Sequence, residues 1–311
     1  MRSAAPHDKA GLMPALITSD LALIGHVCRD EVVSFGGSAQ VAPGSAVLCG
    51  AMAAAGSGVS VLVITRMAPR DDELLSAMRQ RGIAVHVIPA EATTYMRVAH
   101  PSPNVDERVM DQLASAGRFR LEDVPVLDVR QVHLAGISDQ EFDLEFVRGL
   151  RSRGVRLSAD MQGFVRQVDP ATGRIAFADV ARKADLAGLL DMVKLDVVEA
   201  RVLTGEDDLE QAAMAFERWG CPEIVVSRAD GALARVAGET HWERFSNRST
   251  VGRTGRGDTL FAAYAAHRLD HGPRESLRFA AALVSLKMER PGPFTGTMAD
   301  VLARLGEAVV S

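Results

Sequence analysis

The sequence predicts an α/β protein in which a mainly parallel central sheet is covered by helices on both faces. Three observations carry that prediction. Short apolar runs alternate with helix-period stretches along most of the 311 residues, the pattern of successive βα units. Hydrophobic residues make up 47% of the chain but aromatics only 5%, so the core must be built from Ala, Val and Leu, which suit helices on a parallel sheet better than a β-sandwich. Charged residues stop at 24%, which excludes a disordered chain and leaves apolar surface for one sizeable unit, read as a single domain over 1–311.

In chain order, a β-type run at 21–27 leads to a glycine turn at Gly36 and Gly37, an Ala-rich helix at 46–55 and a strand at 59–64. Residues 71–81 read as a helix with acidic residues in its first turn, where the helix dipole favours them, and strands follow at 83–88 and 94–99. The stretch 90–125, rich in Pro, Asn, Asp and Ser, lacks a helix partner and reads as an excursion from the sheet. Further strands are expected at 131–134, 155–158, 192–195 and 223–227, with helices at 142–153 and 209–219. Beyond Ala232 two short strands precede long helices at 258–270, 273–288 and 298–309.

Charge narrows the partners. The chain carries 35 Lys plus Arg against 40 Asp plus Glu, a net of −5, so a global basic field for nucleic acid or anionic lipid is excluded while a local cationic pocket for phosphate is not. Cys28, Cys49 and Cys221 are far apart and form no CxxC pair, which argues against a disulfide framework or structural zinc and for a reducing, cytoplasmic setting. Asp8, Lys9 and Pro14 interrupt the N-terminal apolar stretch, so it does not read as a secretory signal. Residues 32–65 carry no formal charge, but Gln40, Pro43 and six glycines fit a helix and a strand buried inside the protein rather than a membrane span.

The chemistry concentrates at Thr254-Gly255-Arg256-Gly257-Asp258-Thr259, which opens an apolar-periodic helix. Two glycines flanking one residue let successive N–H groups converge at a helix start, where the dipole adds positive potential, so the turn suits a phosphate. Asp258 sits at that start, where a carboxylate serves either as a catalytic base or as an ordinary N-terminal helix residue. A Walker-type GxxxxGK[ST] is absent from the sequence. The Arg-Gly-Asp within the turn would need an exposed extracellular loop to act in adhesion.

This turn resembles the TGAGD-type signature of the ribokinase, or PfkB, family of carbohydrate kinases, with Arg256 in place of the small middle residue. The resemblance runs from about residue 21 onward. It implies a ribokinase-like three-layer sandwich with a small β lid built from segments near 28–40 and 90–125. It further implies ATP-dependent phosphorylation of a hydroxyl on a sugar or cyclic polyol, with Mg²⁺. The N–H groups of Gly255, Arg256 and Gly257 would form an anion hole, and Asp258 would take the hydroxyl proton.

Asp30, after Gly25-His26-Val27, resembles the aspartate that grips sugar hydroxyls, and Gly36-Gly37 resembles the paired glycines that let backbone approach the sugar. Lys194-Leu195-Asp196-Val197-Val198-Glu199 resembles the NxxE motif, implying Glu199 and Asp196 at Mg²⁺ and Lys194 and Asp196 near the nucleotide. Ser227, Arg228 and Gly231 resemble the strand and turn that meet the nucleotide, where an ordinary hairpin is the alternative. Asp160-Met161-Gln162-Gly163-Phe164-Val165-Arg166, the string 286–294 and the Arg of TGRGD resemble the branch that includes inositol kinases, which implies Gln162 and Arg166 at the acceptor. Met96 in the lid is expected to close over it, and the lid offers a surface for a homodimer. A nucleoside kinase of the same family and a catalytically silent nucleotide or sugar binder are the alternatives. One departure concerns monovalent cations: many relatives carry an Asp before the turn, where this chain has Gly252 and Arg253, so K⁺ dependence is not expected.

Overall fold

A computed structural model describes residues 16–103 and 107–310; the expectation for the first fifteen residues lies outside them. The chain begins with β1 (Ile17–Ile24), then the hairpin β2 (Cys28–Val33) and β3 (Ala39–Gly44), α1 (Ala46–Gly56) and β4 (Val61–Met67). It continues through α2 (Ser76–Gln80), β5 (Ala84–Pro89), β6 (Thr94–Ala99), β7 (Val109–Ala114), β8 (Leu127–Leu134), α3 (Leu144–Ser152) and β9 (Leu157–Asp160). Next come α4 (Gln162–Val165), β10 (Arg166–Val168), β11 (Ile175–Phe177), α5 (Lys183–Ala187), β12 (Met192–Asp196), α6 (Val197–Thr204), α7 (Leu209–Arg218) and β13 (Glu223–Ser227). The last elements are β14 (Gly231–Val236), β15 (Glu239–Arg244), α8 (Arg256–His267), α9 (Pro273–Met288) and α10 (Met298–Val310).

Nine strands form one sheet in the order β15-β14-β13-β12-β9-β8-β1-β4-β5, parallel from β5 to β13 with β14 and β15 antiparallel at one edge. Alternate residues of the central strands serve two cores. Leu21, Leu23 and Val63 pack with α1, α8 and α9 on one face, while Ala22, Ile24, Leu62 and Val193 pack with α3, α6 and α7 on the other. This is the ribokinase-like three-layer α/β arrangement, with Ala-rich helices as the composition requires. Parallel pairing brings the carboxyl ends of β9, β12 and β13 together at Asp160, Asp196 and Ser227, the edge where ligands of such sheets bind.

A second sheet, ordered β3-β2-β6-β7, stands beside that edge over a small core of Cys28, Met96, Met110, Ile137 and Ile175. In it Asp30 pairs with Met96, so both side chains lie on one face.

Three local expectations need correction. Residues 71–81 are not one α-helix: a 3₁₀ segment spans Pro69–Leu75 and kinks at Asp71, whose carboxylate turns to Arg29 at 2.5 Å. The uncharged stretch 32–65 is not all interior, because β3 is an exposed edge strand. The first strand spans Ile17–Ile24, so His26 and Val27 lie beyond it. Among the described residues no helix is long and apolar enough to cross a membrane.

Candidate active site

The loop from β15 to α8 ends at Gly255, whose φ of 75° breaks the backbone into the left-handed region and starts α8 abruptly. A side chain there would meet Cys49 Sγ at 2.5 Å, and one at Gly257 would meet Lys194 Nζ at 2.9 Å, so both glycines are also demanded by packing. The Arg256 N–H, expected in the anion hole, instead donates to the Arg253 carbonyl at 3.2 Å, whereas among the described residues no backbone carbonyl accepts from the N–H groups of Gly255, Gly257 or Asp258. They remain available to an anion at the N-terminus of a twelve-residue helix.

Asp258, in the first turn, accepts at Oδ1 from Gln162 Nε2 at 3.0 Å. The same amide donates to the Gly136 carbonyl at 3.0 Å, and Gln162 N–H donates to Asp160 Oδ1 at 3.1 Å. Asp160 in turn pairs with Lys194, its oxygens 3.1 and 3.2 Å from Nζ. Lys194 is buried and also faces Glu199 Oε2 at 3.6 Å. Burial opposes the lysine's charge, but Asp160, Glu199, Asp196 and Asp258 outweigh it and hold the ammonium above the usual lysine range. Burial pushes Asp160 and Glu199 up, with Lys194 offsetting part of the rise.

Asp196 and Glu199 form the capping box of α6: Asp196 Oδ1 accepts from the N–H groups of Val198 and Glu199, and Glu199 Oε2 accepts from Asp196 N–H at 2.7 Å. Glu199 Oε1 is buried and receives no hydrogen bond. An orphaned carboxylate oxygen beside a half-buried Asp196 fits a hard cation held through water oxygens.

On the acceptor side, burial raises the pKa of Asp30, with repulsion from Asp258 adding to it, while Cys28 Sγ donates to Oδ1 at 3.0 Å and Arg166 attracts it. Thus Asp30, Asp258, Gln162 and Arg166 converge. Met96 neighbours Asp30 but is buried in the small core of the second sheet. Gly36 and Gly37 are not brought to the site. They form the exposed turn of the β2–β3 hairpin, where Gly36 takes φ 67° and Gly37 N–H bonds Ser34 O. The close backbone approach is made by Gly44, where an added Cβ would stand 1.9 Å from Asp30 Oδ2.

On the donor side, Ser227 Oγ is buried against Leu195 O at 3.4 Å and lies under Gly257. Arg228 spends its guanidinium on Asp230, at 2.5 and 3.0 Å, and stacks 4.3 Å over Trp242, while its N–H bonds the carbonyl of Gly231. That turn joins β13 and β14 as a hairpin. Arg256 NH1 reaches Ala229 O at 3.5 Å.

Sequence reasoning gave no role to Asp160, Arg108 or Lys287. Arg108 lies on the surface, where burial, Arg166 and Arg253 lower its pKa and Asp196 and Glu199 partly offset them. Asp160 and Lys287 stood inside strings already singled out, so their signal was present. Arg108 stands in a stretch of sequence, 101–108, that carries no such signal.

A family profile, pfkB family carbohydrate kinase, matches residues 17–300. A sulfate complex of a pyrophosphate-dependent kinase in the ribokinase family superposes with a TM-score of 0.84 at 30% identity, covering 91% of this chain and 99% of that one. A pyrophosphate-dependent kinase of that family complexed with a pyrophosphate analog and myo-inositol gives a TM-score of 0.83 at 29% identity, with the same coverage of 91% and 99%. The cytidine kinase of Thermococcus kodakarensis is 24% identical over 220 residues, 68% of this chain and 73% of that protein. With a profile match over nearly its whole length and a fold and site to accompany it, the chain belongs to the pfkB family of carbohydrate kinases.

Proposed function

We propose that this protein transfers a phosphoryl group to a hydroxyl of an inositol-like cyclic polyol, and that the donor is pyrophosphate. The observation that carries the transfer chemistry is Asp258: a carboxylate in the same helical turn as unpaired N–H groups, with one oxygen fixed by Gln162. The acceptor hydroxyl attacks phosphorus as its proton passes to Asp258 Oδ2, the bridging P–O bond breaks, and phosphate leaves. The N–H groups of Gly255, Gly257 and Asp258 face the charge on the transferring group, and Lys194 beneath Gly257 adds a fixed positive charge. Asp30 and Arg166 supply an acceptor and a donor for polyol hydroxyls. Asp196 and Glu199 would hold Mg²⁺, which when bound neutralises the phosphates.

The family resemblance implied ATP. Pyrophosphate is favoured by Arg108, whose charge Arg166 and Arg253 oppose and Asp196 and Glu199 support, a set of cations suited to a compact polyanion. The Arg228 turn, expected at a nucleotide, is committed to Asp230 and Trp242. The relatives at 29 and 30% identity support the same choice. The test crosses two donors, pyrophosphate and ATP, with myo-inositol, ribose, fructose, adenosine and cytidine, following the phosphorylated product. Transfer from pyrophosphate to myo-inositol at the highest kcat/KM is expected. Preference for ATP would overturn the donor, and preference for a nucleoside would overturn the acceptor.

A further inference from the structure

Lys287 is the penultimate residue of α9 and 2% exposed. Its ammonium donates to the carbonyls of Gly252 and Thr254, the two that lead into the anion-binding turn. Among the described residues no carboxylate forms an ion pair with it, so this buried charge is stabilised chiefly by backbone dipoles and by Asp258 at longer range. Burial lowers its pKa, as expected for an ammonium held this way.

The surroundings fit a cation socket. Gly252 N–H donates to Met288 O at 2.8 Å, and an added Cβ at Gly252 would lie 1.8 Å from Arg290 O and 2.8 Å from Lys287 O. The turn is therefore pressed against the C-terminal end of α9, where the helix carries its negative partial charge. Thr254 lies four residues before Asp258, so its carbonyl is the one an extended α8 would offer to the Asp258 N–H. Lys287 occupies that carbonyl and leaves the N–H facing the phosphoryl position.

We propose that Lys287 is a positioning residue, a tethered monovalent cation that fixes the Gly252 and Thr254 carbonyls and so holds the anion-binding turn open. The proposal rests on the reading of that turn as the phosphoryl site. An ammonium and a potassium ion have the same charge and similar size and both are held by carbonyl oxygens, so removing the tether should create a site for a free ion. The enzyme thus carries internally a cation that Lys287→Ala would need from solution.

The experiment compares wild type, Lys287→Ala and Lys287→Met in Tris buffer without alkali cations, then with K⁺, NH₄⁺ or methylammonium at constant ionic strength. Lys287→Ala should lower kcat about 10²-fold, the scale of a lost oxyanion donor, with the KM for acceptor changed less than about threefold. Saturating K⁺ or NH₄⁺ should recover at least about tenfold in Ala but not in Met, whose side chain fills the space. Circular dichroism and melting temperature identify a variant that fails to fold, in which case Met alone decides by its kcat and lack of rescue.

A second arm needs no turnover: pyrophosphate binding by calorimetry should weaken in Ala and return with NH₄⁺. Wild type that binds pyrophosphate without transferring it would defeat the functional reading and leave this arm to judge Lys287. Near-wild-type kcat in cation-free Lys287→Met, or a folded Lys287→Ala that no cation restores in either arm, would overturn the proposal.

Discussion

Gln162 Nε2 lies 3.0 Å from Asp258 Oδ1 and 3.0 Å from the Gly136 carbonyl, so one amide locks the helix-start carboxylate to the loop after β8. With Oδ1 engaged, Oδ2 is the oxygen left to take a proton, and its position is set by a residue on a different element. Such fixing matters because a base contributes only when held within hydrogen-bond reach of the proton it removes.

Asp258→Asn should fold and bind donor as wild type does while lowering kcat by roughly 10²- to 10⁴-fold. Steady-state rates with melting curves check this, and near-native turnover would remove Asp258 from the base role. Gln162→Glu would set a like charge against the base. It also removes the amide donor that fixes Asp258 Oδ1, so kcat should fall by about tenfold or more with folding retained, and an unchanged kcat would show that Gln162 does not act through Asp258.

Glu199 keeps one oxygen in the α6 capping box and buries the other without a partner. Glu199→Gln should retain the cap, raise the Mg²⁺ concentration for half-maximal rate and leave acceptor KM nearly unchanged. A Mg²⁺ titration at several acceptor concentrations separates the two effects. If only the acceptor KM moved, Glu199 would belong to the acceptor site.

Asp30 joins the second sheet to the site, facing Asp258 and Arg166 while taking a hydrogen bond from Cys28. Asp30→Ala should weaken acceptor binding by about 1.5 to 3 kcal/mol, the scale of a lost charge-assisted bond, and spare donor binding. Calorimetry with each substrate in turn tests it; the reverse pattern would interchange the two sites.

The layered sheet and the TGRGD turn were legible because each is local: strand and helix periods, and two glycines before an apolar helix. What the sequence hid depends on approach between distant segments. Gly36-Gly37 looked like the acceptor glycines because the pair is conspicuous, yet only tertiary packing reveals that Gly44 meets Asp30. The carboxylate of Asp71, at the kink, meets Arg29, 42 residues away. Asp160 gains meaning only when parallel pairing sets it opposite Lys194.

The departure at Gly252 now has a structural cause. Any side chain there would collide with the Arg290 carbonyl, so the position cannot carry the carboxylate expected of a potassium site. The carbonyls that would coordinate an ion, those of Gly252 and Thr254, are already taken by the Lys287 ammonium. A second cation in the same space would meet a buried positive charge, at an interaction cost of about 4 kcal/mol at 4 Å in a protein-like dielectric. Exchanging K⁺ for a bulky organic cation, at constant ionic strength and Mg²⁺, should therefore change wild-type kcat by less than about threefold, under 1 kcal/mol of barrier. Saturable activation of about tenfold or more by K⁺ in the wild type would mean that the ion finds oxygens beyond those Lys287 holds, since Gly252 and Thr254 cannot serve both.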